Sequence, residues 1–188
     1  MYPPRSNPDY YPITVANYKL GGSPSGIFGM IIREEKGFTY GAGSSVSGSK
    51  NYGTFSASSS VISNSTSESV EIFKTEMEKY SKSIPQEYID FTKSGLMKSN
   101  TRRFETLGGL MGMLNTMSLY NLPEDFVKQE EAYHKDLTVE KQLAITKKCI
   151  DPSKMYYVVV GDAKTQLKPL EKVGFGKPII LPNLSGTH

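Results

Sequence analysis

The 188-residue chain has no tryptophan, one cysteine and two histidines. A single cysteine, Cys149, excludes an intrachain disulfide framework, so a packed core must hold the fold. A lone cysteine near the end of a helical pattern reads as a small buried hydrophobe rather than a nucleophile. Without tryptophan the core falls to Leu, Ile, Val, Met, Phe and Tyr; hydrophobic residues make up 37% of the chain, and its length suits one domain. No apolar run approaches the roughly 20 residues of a membrane-spanning helix. The opening, MYPPRSNPDYY, lacks the apolar middle section of a secretion signal. A dominant sign of charge is missing too: 22 basic residues are interspersed with 19 acidic ones. Nucleic-acid binders concentrate basic charge on one face. The nearest approach, Arg102 and Arg103 in NTRRFE, reads as the solvated side of a helix.

Catalytic parts are equally scarce. His134 falls in EEAYHKD, on the polar side of a helical pattern with Glu130 one turn before it, and His188 is the last residue. A zinc site recruits several His, Cys or carboxylate ligands, and Glu and His on an acidic helix are ordinarily just solvated, so no metal site is expected in this chain. GSPSGIFG has glycines ahead of a helix but no preceding strand and no Lys-Ser or Lys-Thr at phosphate-loop spacing. No Gly-x-Ser-x-Gly elbow stands between a strand and a helix.

What is present is a sequence of helices around one hairpin. SNPDYYPITVANYKLGG reads as a helix capped by Ser6 or Asn7 and stopped by Gly21-Gly22. PSGIFGMIIREEKG reads as a second, with Ile27, Phe28, Ile31 and Ile32 on one side and Gly37 ending it. The period then changes. FTYGAGSSVSGS and YGTFSASSSVIS alternate small, polar and aromatic residues about the turn chemistry of GSKNYG, which predicts an antiparallel hairpin over 38–63. Val70, Phe73, Met77 and Tyr80 follow helical spacing and open a helical block over 66–149. Within it, a helix starts at Pro85, another starts with Pro123 and its acidic neighbours, and Thr138 caps the last. The methionine-rich LGGLMGMLNTMSLYN between them reads as core filling. KMYYVVVGD is a continuous apolar run, expected as a strand that is buried on both faces or central. A short helix follows, then KPIIL as a last strand or extended tail, giving strand, helix and strand over 154–181. The fold class is therefore α+β: an antiparallel or mixed sheet with helices packed on one side, in a single unit over 1–188.

PDYYPITVANYKLGG, then REEKGFTYG, then the helical block, then YYVVVGDA and a closing helix resemble, in that order, the C-terminal half-domain of the insulinase and pitrilysin family of zinc peptidases. The resemblance implies two homologous α+β halves facing each other across a chamber. One half carries zinc on an inverted His-x-x-Glu-His motif, which this sequence lacks. The other has no metal ligands and contributes an arginine and a tyrosine to peptide binding, at the positions of Arg33 and Tyr40. Several expectations follow. This chain is the non-catalytic, substrate-chamber half, inactive alone and without catalytic or metal residues of its own. Its partner is a zinc-bearing homologous half, in the same polypeptide or a separate subunit, and its substrate is a peptide. Half-domains of the family open with a strand that has no counterpart before Pro8, so the sequence resembles a fragment with an open sheet edge that LPNLSGTH could fill. Related folds also serve as structural subunits, which leaves a non-enzymatic scaffold or interaction subunit as the alternative.

Overall fold

The computed structural model of the chain describes residues 2–102 and 105–181. Arg103, His188, the side chain of Arg102 and all but the first residue of LPNLSGTH lie outside the described residues.

Helix α1 (Tyr10–Asn17) starts where the Asn7 side chain accepts the Asp9 N–H at 2.8 Å. Pro12 sits early enough in α1 to cost no helical hydrogen bond. The chain continues through a π-helical turn, Tyr18–Gly22, and buries Ile13 and Leu20 completely. Gly21 permits the next contact, since a Cβ there would lie 2.4 Å from Ser44 Oγ and 2.6 Å from the Phe28 ring. The second helix opens at Ile27-Phe28 and widens into a π-helical stretch, Gly29–Glu35, so the two expected α-helices are both in part π-helical.

Strands β1 (Ala42–Gly48) and β2 (Gly53–Ser59) form a two-stranded antiparallel sheet with Val46 opposite Phe55 and Ser44 opposite Ala57. Ala42, Phe55 and Ala57 turn to the helices, while Ser45, Ser47, Thr54, Ser56 and Ser58 face water. Period-two alternation of this kind is what a half-buried antiparallel pair requires. Helices α2 (Thr66–Lys82), α3 (Gln86–Arg102), α4 (Leu107–Tyr120), α5 (Phe126–Lys135), α6 (Val139–Cys149) and α7 (Ala163–Glu171) follow. The protein is α+β, mostly helical, with helices on one face of a small sheet.

The main core joins Val15, Leu20, Phe28, Met77, Tyr80, Ile89 and Ile150. The Tyr80 hydroxyl donates to the Ala16 carbonyl at 2.9 Å and accepts from Gln142 Nε2 at 2.9 Å, which ties α2, α1 and α6 together. Such buried polar groups hold a core in one arrangement because losing a partner costs about 1–3 kcal/mol. Thr138 caps α6 as expected, accepting the Lys141 N–H at 3.3 Å.

Three stretches differ from the sequence reading. No residue of α4 is buried; Met111 is 60% and Leu114 is 54% exposed, so this stretch is not core filling. Residues 155–160 are extended, but no strand pairs with them among the described residues, and Tyr156, Val158 and Val160 are 98%, 76% and 97% exposed. Residues 177–181 likewise form no strand there. No described helix is long and apolar enough to cross a membrane.

Candidate substrate-facing site

The segment that carries Arg33 and Tyr40 is built from its buried side outward. Phe28 and Ile32 are fully buried, and the Phe28 ring meets Phe73 of α2 edge-on at 4.7 Å. That pins one face of the helix to the core and leaves Arg33, the next residue, at the surface. The helix ends where the Lys36 N–H bonds the Ile31 carbonyl at 3.0 Å and the Gly37 N–H bonds the Arg33 carbonyl at 3.1 Å. Gly37 has φ +66°, the left-handed conformation in which glycine closes a helix without strain.

The chain then runs to β1 over a short tether held on both sides. The Phe38 carbonyl accepts the Ile62 N–H at 3.0 Å. The Thr39 hydroxyl accepts the Gly41 N–H at 3.1 Å and lies 2.6 Å from the Ser60 carbonyl. Tyr40 stands between these anchored residues, just before β1 rather than on it, and is 102% exposed. Its hydroxyl has no hydrogen bond among the described residues. A fixed backbone thus presents an unengaged phenol.

Arg33 is engaged, but weakly. Its Nε and Nη2 reach Glu34 Oε1 at 2.8 and 2.5 Å, and the two side chains are 39% and 49% exposed. An ion pair in that much water contributes on the order of 0–1 kcal/mol, so another carboxylate or a carbonyl can displace Glu34 at little cost. No hydrogen bond or ring contact joins Arg33 to Tyr40. Surface cavities of about 580 Å³, against α2 and α7, and about 420 Å³, against Tyr11, Phe126 and Tyr133, include neither residue.

Two further candidates, His134 and Cys149, lie at least partly within the packed interior. His134 is only 4% exposed and not on a solvated face; its ring bonds the Tyr11 hydroxyl. Burial lowers its pKa, against a smaller opposing pull from Glu131, which favours the neutral ring. The half-buried Cys149 thiol is pushed up by burial and, less, by Asp9, which disfavours the thiolate. No group of three or more His, Cys, Asp or Glu among the described residues is arranged to hold a metal ion.

The family profile of the peptidase M16 inactive domain matches residues 1–96. The chain belongs to that family. It is an insulinase-family C-terminal half-domain, and residues 1–96 take in the helix that carries Arg33 and the whole hairpin. The solved peptidase M16 inactive domain of Pseudomonas fluorescens is similar at 25% identity and a TM-score of 0.73, over 79% of this chain and 36% of that one. A protease of Helicobacter pylori (13% identity, TM-score 0.65, 80% of this chain and 36% of that one) shares the fold. So does a conserved protein of Enterococcus faecalis (19%, 0.62, 77% and 34%). The chain therefore spans about a third of the length of these structures. No curated protein matches it at a significant level.

Proposed function

We propose that this inactive M16 half-domain is the substrate-facing half of a zinc metallo-endopeptidase. It presents Arg33 and Tyr40 to a peptide held opposite a zinc-bearing half, on the same polypeptide or on a separate subunit. The observation that carries the reading is the pairing of an inactive-domain family match with a rigidly tethered, fully exposed Tyr40 in REEKGFTYG. A zinc ion bound in the partner half would supply an activated water and a Lewis acid there. The Tyr40 hydroxyl donates to the oxygen that gains charge, or to the peptide backbone beside it. The Arg33 guanidinium exchanges Glu34 for the peptide and grips it with its planar fork. Gly37 sets the angle between the two supports.

One observation favours a second reading, a non-enzymatic interaction subunit: α4 exposes an uncharged apolar surface of Leu107, Met111 and Leu114. Two measurements on the purified chain separate the readings. The proposal expects no retained zinc after dialysis and no peptide hydrolysis by the chain alone, with hydrolysis appearing on mixing with the zinc-bearing half. One tightly held zinc per chain would overturn the non-catalytic assignment. Hydrolysis by the zinc-bearing half that is unchanged by this chain would leave the interaction subunit.

A further inference from the structure

The ladder between β1 and β2 stops one bonded pair short of Tyr40. In an antiparallel pair, alternate residues exchange backbone bonds with the partner strand, and those between turn theirs away. On β1 the carbonyls of Ser44, Val46 and Gly48 turn away. They accept from Asn17 Nδ2 at 3.0 Å, the Tyr10 hydroxyl at 3.2 Å and the Tyr120 hydroxyl at 3.3 Å. The bonded positions are therefore Gly43, Ser45 and Ser47, opposite Ser58, Ser56 and Thr54. The same count makes Gly41 and Ser60 the next bonded pair. No backbone hydrogen bond joins them.

A side chain stands in that place. The Gly41 N–H donates to Thr39 Oγ1 at 3.1 Å, and Thr39 Oγ1 lies 2.6 Å from the Ser60 carbonyl oxygen. The hydroxyl accepts from one strand and donates to the other, so it bridges the two groups that a regular ladder would join directly. The Gly41 carbonyl is 2.9 Å from the same hydroxyl, but a hydroxyl has one proton and the shorter contact, to Ser60, takes it. That carbonyl accepts instead from the Ser59 hydroxyl at 2.9 Å. The direction of the side chains changes at this point too. Ala42 and Val46 pack on the helices, and Ser44 Oγ donates to Asn17 Oδ1 at 2.5 Å. Period-two alternation assigns residue 40 to that same face. Tyr40 is fully exposed instead.

We propose that Thr39 is a positioning residue: its hydroxyl, wedged between Gly41 and Ser60, ends the ladder and holds Tyr40 turned out of the pleat. The inference rests on the proposed contact of Tyr40 with the peptide and adds the group that aims it. Thr39 itself touches no substrate in this account and acts through its neighbour. Thr39→Val puts a methyl where the hydroxyl stands. The methyl can neither accept from Gly41 nor donate to Ser60, yet it keeps the two strands apart, so residues 39–41 lose the bridge without regaining a direct bond. Thr39→Ser keeps the bridge. A phenol no longer held at one angle meets the peptide less often in the productive geometry, which lowers kcat more than it changes KM.

Two readouts on Thr39→Val and Thr39→Ser test it. The first is the NMR order parameter of the Tyr40 amide in this chain alone. It should be about 0.85 in the parent and in Thr39→Ser, and below about 0.6 in Thr39→Val. The second is peptide turnover by the two-half enzyme. Thr39→Val should lower kcat on the order of tenfold, and Thr39→Ser should restore it. In a Tyr40→Phe background Thr39→Val should cost nothing further, because the hydroxyl that it aims is gone. A Tyr40 amide that stays rigid in Thr39→Val would overturn the inference. So would the same loss of turnover from Thr39→Val in the Tyr40→Phe background, or no recovery with Thr39→Ser. Full turnover by Tyr40→Phe alone would defeat the functional reading, and the order parameter would still decide whether Thr39 holds residue 40.

Discussion

Two stretches of this chain have nearly the same vocabulary and opposite fates. GIFGMII, residues 26–32, and LGGLMGML, residues 107–114, are both uncharged helices of glycine, methionine and large aliphatic or aromatic side chains. The first buries Phe28 and Ile32 completely. The second buries nothing, and Leu107 is 78% exposed. Their glycines differ accordingly. A Cβ on Gly29 would come within 2.5 Å of the Pro24 carbonyl oxygen, whereas one on Gly112 would meet nothing within 4 Å. Composition therefore says that a surface is apolar, and only tertiary packing says whether it has been used. In the first helix the apolar face is spent on the fold; in α4 it remains available.

That contrast can be broken by substitution. Phe28→Ala removes a ring locked against Phe73 and should cost about 3–5 kcal/mol in a denaturant melt, while Leu114→Ala on α4 should stay within about 0.5 kcal/mol. A large loss from Leu114→Ala would mean that α4 is covered in solution. The glycine pair makes the finer test. Gly29→Ala forces a backbone clash and should destabilise by about 1–3 kcal/mol. Gly112→Ala relieves an exposed helix of a flexible residue and should stabilise by about 0.5–1 kcal/mol. Equal effects at the two positions would erase the distinction between the helices.

Much of the fold was legible in the sequence, for local reasons. The Val70, Phe73, Met77, Tyr80 spacing gave α2, with Met77 and Tyr80 nearly inaccessible. The turn residues of GSKNYG separate β1 and β2 where the strands in fact end and begin, at Gly48 and Gly53. What failed was non-local. The neighbours of His134 are polar, but its burial is decided by Tyr11, 123 positions away. MYYVVVG announces a strand and cannot announce whether a partner is present. The π-helical turns carry no residue signature of their own. At the candidate site the adjacency of Arg33 and Glu34 made their pairing foreseeable. The complete exposure of Tyr40 was not, because it depends on the Thr39 and Phe38 tethers to residues 60–62.

The central claim is that an inactive half takes part in catalysis through two side chains. Peptide turnover by the two-half enzyme carrying Tyr40→Phe or Arg33→Lys, with thermal melts of this chain alongside, tests it most directly. Tyr40→Phe removes one hydroxyl that has no partner within the described residues, so the melt should not move. If that hydroxyl donates to developing charge, kcat should fall on the order of 10²-fold. Arg33→Lys keeps the charge and loses the fork, so turnover should fall there as well. Near-normal turnover in both variants, with melts unchanged, would contradict the account and return Arg33 and Tyr40 to the ordinary surface.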